Sequence, residues 1–182
     1  QAINETLYKK LNYNLVKDFA PISLVGSSSL MFVATPSAPF KTIPELIAYA
    51  KANPGKVNFG SSGTGTPLHL GGELFNTQAG TDILHVPYKG AAPALTDVLG
   101  GQIQTAIVGT PAALPYVKSG KLTALGVTSL KRSPNAPEIP AISETIPKFE
   151  VELVYAIVAP ADTPKAIVDK LNAQLVSVLN NP

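Results

Sequence analysis

The sequence predicts an α/β fold with a mainly parallel sheet flanked by helices, and three observations support this prediction. Short apolar runs alternate between the two-residue spacing of strands and the wider spacing of helices. Seventeen prolines and fourteen glycines separate these runs. Several strand-like runs are continuously apolar, which is typical of parallel strands that are covered on both faces.

Seven runs are predicted as strands, because β-branched and aliphatic residues dominate them and turn residues bound them. In a βαβ order, the loops that follow the strands gather at one carboxyl edge, where ligands bind in sheets of this class. The proline-rich stretch 133–140 is expected to be an ordered surface loop rather than a helix. The predicted strands are 20–25, 30–35, 56–60, 82–86, 103–108, 124–127 and 150–159.

Four helix starts carry local signals. Thr66-Pro67, Thr110-Pro111 and Thr163-Pro164 each place a capping hydroxyl before a proline at the first helical position. Thr42 and Glu45 have the spacing of a capping box. After Pro164, one helix face is apolar, so this last helix is expected to pack against another surface. The face consists of Ile167, Val168, Leu171, Leu175, Val178 and Leu179.

Composition argues for a folded chain and against binding of nucleic acid, metals or cofactors. The chain of 182 residues is 45% apolar, which is enough for a substantial core. Charged residues make up 14% with a net charge of +2 and no basic block, so nucleic acid is not an expected partner. Cysteine is absent and the acidic residues lack metal-ligand spacing, so we expect neither a metal nor a cofactor.

The segment 57–69 is the leading functional candidate, because a strand runs through a Gly/Ser/Thr turn into a capped helix. Glycines allow close approach of a ligand, and the free N–H groups and dipole of the helix start favour an anion. A phosphate-loop lysine, a third dinucleotide-binding glycine and a nucleophile elbow are all missing. A tight turn without a ligand remains the alternative. The candidate binding residues here are Ser61, Ser62, Gly63, Thr64, Gly65, Thr66 and His69.

Two further loops are predicted at the same edge. One contains Tyr88, Lys89 and Gly90, which offer a hydroxyl, a charge and a close backbone approach, although an exposed lysine is more often only solvated. The other contains Gly109 and Thr110. Together with the 61–66 turn, these loops are expected to converge on one solute.

Two alternatives to a binding function stay open from the residues alone. In the first, the chain is a hydrolase or transferase that uses Ser61 or Ser62 with His69, which requires a positioned base and an orienting acid. For His69 we favour a structural or hydrogen-bonding role over catalysis. In the second, the chain is a protein-assembly module, and its glycine-rich turn has no ligand.

The ordered motifs also resemble a known family. The stretches are DFAPISLVGSSSLMFVATPSAPFKTIPELIAYAKANPGKVNFGSSGTGTPLHL, HVPYKGAAPALTDVLGGQI, LPYVKSGKLTALGVTS and IVAPADTP, which together cover nearly the whole chain. They resemble the receptors of tripartite tricarboxylate transporters, the TctC or Bug type. The resemblance implies a periplasmic solute-binding protein that is not an enzyme, with lobes like those of type II periplasmic binding proteins. Its implied partners are a small carboxylate and membrane transporter subunits.

The resemblance also implies a domain organisation and a carboxylate site. Residues 25–154 match a second ligand-binding lobe, 1–24 a crossover from a first lobe, and 155–182 the return crossover and helix. The 61–66 turn, His69, the loop at 88–90 and Gly109-Thr110 would hold the carboxylate of a dicarboxylate, tricarboxylate, aromatic acid or amino acid. Many members carry an acidic residue where this chain has Gly109-Thr110, so the resemblance does not extend to recognition of an amino group. With most of the first lobe absent, we expect the chain to dimerise or exchange segments.

Overall fold

The computed structural model describes residues 9–181, which form two compact units. One unit is Ser28–Leu153. The other combines the chain up to Ser27 with the chain from Val154 onward. The assignment of these segments to a second and a first lobe stays a prediction.

Six strands form among the described residues, and they match the predicted runs with one difference. The predicted strands 20–25 and 30–35 are a single strand, because Gly26 to Ser29 continue the extended backbone instead of turning. The strands are β1 (Phe19–Ala34), β2 (Asn58–Ser61), β3 (Leu84–Pro87), β4 (Thr105–Gly109), β5 (Thr123–Val127) and β6 (Glu152–Pro160).

The sheet order is β3-β2-β4-β1-β5, and β6 pairs with β1 outside this path. Strand β2 runs parallel to both β3 and β4, whereas β1 is antiparallel to β4 and β5. Only β1 therefore runs against the other strands of the path, which confirms the predicted mainly parallel sheet. The carboxyl ends of β2, β3 and β4 consequently share one edge.

Five α-helices form among the described residues. They are α1 (Ile43–Ala52), α2 (Pro67–Ala79), α3 (Ala91–Leu99), α4 (Thr110–Lys118) and α5 (Lys165–Leu179), with a short 3₁₀ helix at Ile142–Glu144. Two predicted caps are confirmed, because the hydroxyls of Thr42 and Thr66 accept the N–H groups of Glu45 and His69. The Glu45 carboxylate accepts the N–H of Lys41 at 2.7 Å, so it reaches one residue further back than a capping box requires.

The other two predicted caps are wrong. Helix α4 begins at Thr110 itself, and the Thr110 hydroxyl donates to the carbonyl oxygen of Ser29 at 2.9 Å. Helix α5 has Pro164 at its cap position, which leaves Thr163 one residue too early to accept an N–H of the first turn. The Thr-Pro pair therefore marks these helix starts without capping them.

The unit Ser28–Leu153 has a core on each face of the sheet. Leu30, Phe32 and Ala34 of β1 pack into one buried cluster, whereas Met31 and Val33 pack into the other. This alternation is what a strand with both faces covered requires. Residues 133–140 form turns rather than a helix, and Ala136 and Ile139 within them are buried, which confirms an ordered loop.

The other unit contains the first part of β1, most of β6 and helix α5. The Asn172 amide of α5 donates to the carbonyl oxygen of Ile22 in β1 at 2.6 Å. No residue of α5 is buried, and Ile167 and Leu171 on its apolar face are 50% and 42% exposed. None of the helices within residues 9–181 is long and apolar enough to cross a membrane.

Candidate functional site

Three helices begin at the carboxyl ends of three adjacent parallel strands. Helix α2 follows β2 after a short turn, α3 follows β3 after three residues, and α4 follows β4 directly. No side chain within residues 9–181 caps the first N–H groups of α3 and α4. Because helix N-termini carry partial positive charge, this edge of the sheet is a favourable place for an anion.

The turn between β2 and α2 is held by hydrogen bonds within itself and to the first turn of α2. The N–H of Gly63 donates to Ser61 Oγ at 3.1 Å, and the N–H of Gly65 donates to His69 Nδ1 at 3.1 Å. The Thr66 hydroxyl donates to the Gly63 carbonyl oxygen at 2.7 Å. Gly63 and Gly65 have φ values of +123° and +80°, which side chains with a Cβ rarely adopt.

Ser62 and Thr64, which alternate with Gly63 and Gly65 along the turn, leave their polar groups available. The backbone N–H groups and the hydroxyls of Ser62 and Thr64 have no hydrogen-bond partner among residues 9–181. Ser62 is partly exposed and Thr64 is exposed. This turn therefore presents unpaired donors at a helix N-terminus, a geometry that suits the oxygens of a carboxylate.

A buried serine and a histidine from the neighbouring strand lie beneath the turn. Ser61 is fully buried, and its Oγ lies 2.7 Å from His85 Nε2. The His85 ring packs between Phe59, at 5.0 Å between ring centroids, and His69, at 4.1 Å. Desolvation by burial, assisted by the nearby His69, lowers the pKa of His85 to about 4, so His85 is neutral near pH 7.

Gly72 allows helix α2 to pack closely against the Phe59 ring. A Cβ placed on Gly72 would lie 2.2 Å from the Phe59 ring. Only glycine lets α2 pack this closely against the ring that supports His85. His69 Nδ1 accepts the Gly65 N–H, and the preference for a structural or hydrogen-bonding role of His69 over catalysis stays a prediction.

The β3–α3 loop supplies a different set of groups. The Tyr88 hydroxyl donates to Asp97 Oδ2 at 2.6 Å. Burial is the main cause that raises the pKa of Tyr88 to about 12, and this hydrogen bond is a second cause. The Tyr88 proton is therefore not available to a solute, contrary to the role suggested by the sequence. Lys89 is exposed and makes no ion pair with any described residue. Gly90 has a φ of +117° and faces open space.

At the start of α4, no described side chain caps the backbone N–H groups at the sheet edge, whereas the Thr110 side chain is already bonded. The Thr110 hydroxyl is buried and bonded to Ser29, with its Oγ1 also 3.0 Å from Ser29 Oγ. No hydrogen bond joins Thr110 to the 61–66 turn within the described residues. Gly109 is the uncapped residue before the helix. The Tyr88 N–H donates to the Ser61 carbonyl oxygen at 3.1 Å, so direct contacts link the 61–66 turn to both His69 and Tyr88. Gly109 pairs instead with Leu30 of β1.

The geometry does not support serine catalysis. Ser61 contacts His85 rather than the expected His69, and its buried hydroxyl already accepts the Gly63 N–H. Ser62 makes no hydrogen bond to either histidine. Within residues 9–181, no group of three or more histidine, aspartate or glutamate side chains is arranged to hold a metal ion.

Sequence reasoning missed a pocket in the unit Ser28–Leu153. An open pocket of about 420 Å³ is lined by residues that include Ser29, Lys131, Glu150 and Glu152. Its Arg132 side chain forms a two-point ion pair with Glu144, at 2.7 Å for both contacts. That ion pair lowers the pKa of Glu144 to about 2, together with the N–H of Ala141. Two glutamates in the lining make this pocket less favourable for an anion than the 61–66 turn.

Comparison with known proteins gives a consistent result. The family described as "Tripartite tricarboxylate transporter family receptor" matches residues 2–182. The Bordetella pertussis protein BugT is 35% identical over 181 residues, which are 99% of this chain and 56% of BugT. The chain spans about half the length of the curated relatives that it matches.

Solved structures show the same similarity. The periplasmic binding protein BugD is 36% identical with a TM-score of 0.88, and the match covers 99% of this chain and 60% of BugD. The R. palustris protein Rpa4515, solved with adipate, is 34% identical with a TM-score of 0.89 over 96% of this chain and 58% of its own. MatC from Rhodopseudomonas palustris, with bound malate, is 29% identical with a TM-score of 0.87 over 98% of this chain and 61% of its own. With a family match over almost its full length, this chain belongs to the tripartite tricarboxylate transporter receptor family of periplasmic solute-binding proteins.

Proposed function

We propose that this chain is the ligand-binding part of a periplasmic receptor that captures a small carboxylate for a tripartite tricarboxylate-type transporter and performs no bond chemistry. The observation that carries the proposal is that the N–H groups of Ser62 and Thr64, at the N-terminus of α2, have no hydrogen-bond partner among residues 9–181. Preorganised donors of this kind bind an anion without first breaking internal hydrogen bonds.

The proposed site assigns a role to each group at the sheet edge. The N–H groups and hydroxyls of Ser62 and Thr64 donate to one carboxylate, and Lys89 adds positive charge that no described acid neutralises. The uncapped starts of α3 and α4, at Gly90 and Gly109, add N–H groups and dipoles. The Tyr88 and Thr110 side chains, which are already bonded, hold these loops in place.

The solute class proposed is a short dicarboxylate. Adipate and malate, found in two related structures, each have two carboxyl groups. Backbone donors recognise a carboxylate whatever it is attached to, so the turn by itself selects charge rather than carbon skeleton. Selection between solutes would then depend on protein groups that contact the rest of the solute, beyond this carboxylate.

Amide chemical shifts of the ¹⁵N-labelled chain test this proposal even if binding is weak. During titration with adipate, we expect the amide signals of Ser62 and Thr64 to move most. The neutral diamide of adipic acid, which has the same length, should leave these signals unchanged. The proposal is wrong if saturating mono-, di- and tricarboxylates all leave both amides unmoved.

A pair of glycine variants separates loss of the site from general strain. Gly65→Val should abolish the shifts, because valine does not tolerate a φ of +80° in the turn. Gly120→Val imposes comparable strain at a φ of +71°, but it lies beyond the C-terminal end of α4, away from the helix starts. Binding that survives in Gly120→Val and disappears in Gly65→Val supports the assigned site, whereas equal binding in both variants contradicts it.

A further inference from the structure

The turn that follows β2 sorts its backbone N–H groups into two sets. The N–H group of Gly63 donates to Ser61 Oγ within the turn, and that of Gly65 donates to His69 Nδ1 in the first turn of α2. Those of Ser62 and Thr64, one residue before each, have no described acceptor. Something must hold this alternation, because a glycine-rich turn has many other conformations available to it.

A histidine ring takes part in holding each of the two bonded N–H groups. Ser61 Oγ is in contact with His85 Nε2 at 2.7 Å, and the acceptor for Gly65 is itself a histidine nitrogen. The centroids of the two rings are 4.1 Å apart, and the ring planes are inclined to each other by 39°. Because His69 Nδ1 accepts an N–H, a proton on the neutral ring must lie on Nε2, which is 3.7 Å from Glu73 Oε1.

We propose that His69 and His85 are positioning residues that hold the Gly63 and Gly65 N–H groups inward, and so present the Ser62 and Thr64 N–H groups to a carboxylate. The histidines act through one nitrogen each, Nδ1 of His69 and Nε2 of His85. Neither histidine contacts the solute in this scheme. The part of the inference that concerns a carboxylate rests on the proposed function, whereas the part that concerns the turn does not.

A purely packing role for the two rings makes a different prediction. The rings fill space between Phe59 and α2. Every replacement by a smaller side chain would then be damaging in proportion to the lost volume and ring contact. In a positioning role, the effect depends on which ring nitrogen the replacement imitates.

Asparagine and glutamine separate these two roles. The side-chain amide of asparagine reaches the place of Nδ1, and that of glutamine reaches the place of Nε2. His69→Asn and His85→Gln should therefore keep the turn, whereas His69→Gln and His85→Asn should release it. All four variants lose the aromatic ring, so each retaining variant is a matched control for the releasing variant at its own position.

Hydrogen exchange of the chain without ligand is the first measurement. The Gly65 amide should exchange roughly fivefold or more faster in His69→Gln than in His69→Asn, which corresponds to the loss of one hydrogen bond. The Gly63 amide should show the same difference between His85→Asn and His85→Gln. Exchange at Ile107, which is fully buried in β4, should stay equal within each pair and so exclude global destabilisation.

Titration with adipate is the second measurement, and its outcomes are distinguishable from those of the first. If the unmodified chain binds adipate, affinity should be roughly fivefold weaker in the two releasing variants than in their controls. Equal exchange within each pair, or an order that follows side-chain size instead of the nitrogen imitated, overturns the positioning role. If exchange follows the expected pattern and the unmodified chain binds no carboxylate, the positioning of the turn stands and the proposed function fails.

Discussion

Helices α2 and α5 have similar apolar patterns but very different surroundings. Helix α2 buries Leu68 and Phe75 together with two glycines, whereas α5 buries no residue and leaves Ile167 and Leu171 about half exposed. The apolar spacing of a helix therefore predicts that the helix forms and which face is apolar. It does not predict what that face contacts, because the partner is distant in sequence.

The largest expected difference between the two helices is in how much stability the protein loses when an apolar side chain is truncated to alanine. Phe75 is fully buried and packs against Phe32 at 5.1 Å between ring centroids, so Phe75→Ala should lower the free energy of unfolding by about 3–5 kcal/mol. Leu171→Ala should lower it by less than about 1 kcal/mol, since Leu171 is already 42% exposed. Urea unfolding followed by circular dichroism measures both. Similar losses would mean that α5 is packed more fully than its exposure indicates.

Two adjacent glycines of α2 provide the next test. Gly72→Ala should destabilise the protein by about 1–3 kcal/mol, because the new Cβ would lie 2.2 Å from the Phe59 ring. Gly71→Ala is the matched control, since its Cβ would meet Val151 at an ordinary 3.6 Å and alanine favours a helix by up to about 1 kcal/mol. Thermal unfolding of the two variants should therefore shift in opposite directions. A stabilising Gly72→Ala would contradict the close approach of α2 to Phe59.

Acidification should weaken the α2 side of the core through His85. Because the folded-state pKa of His85 is about 4 and the ordinary value is 6.5, the unfolded chain binds more protons between these two pH values. Stability from this group is therefore full above pH 6.5 and is lost as the pH falls towards 4. Urea unfolding at several pH values should show a smaller loss in His85→Gln, which does not titrate, than in the unmodified chain. An identical loss in both would show that desolvation and His69 do not lower the pKa of His85 in the folded chain.

The two threonines before Pro67 and Pro164 form a smaller contrast. Thr66 accepts the His69 N–H, so Thr66→Ala should cost about 1 kcal/mol of stability. The Thr163 hydroxyl caps no N–H group of the part of the chain that the structure describes, so Thr163→Ala should leave the unfolding free energy unchanged within error. Chemical denaturation of both variants checks this difference. A cost at Thr163 would restore the cap predicted from the sequence.

Most of the fold was predictable because its signals are local. The strands and the capped starts of α1 and α2 follow from residues within one turn of each other. The failures involve distant partners. The Thr110 hydroxyl bonds Ser29, 81 residues away, instead of capping α4, and nothing near Thr110 in sequence indicates this. The join of 20–25 and 30–35 into β1 was missed because Gly26 to Ser29 are typical turn residues that here stay extended.

The candidate site was predictable to a similar degree. Glycine and proline spacing predicted the 61–66 turn and its helix, since these depend on backbone conformation. The contact of Ser61 with His85 and the bond between Tyr88 and Asp97 depend on strand pairing and helix packing. Strand order would have revealed the first of these, because β2 and β3 are neighbours in register.

The exposed face of α5 leads to the weakest expected effect, which is self-association. Ile167, Leu171 and Leu179 expose apolar surface that water solvates poorly, so two copies of the chain gain by covering it. One helix face is small compared with a standard interface, so we expect a dissociation constant of about 1 mM or somewhat lower. Sedimentation velocity at increasing concentration should show a rising weight-average sedimentation coefficient. Leu171→Lys should suppress the rise, whereas Leu84→Lys, a change at an exposed leucine of β3, should not. A chain that stays monomeric at high concentration would refute self-association.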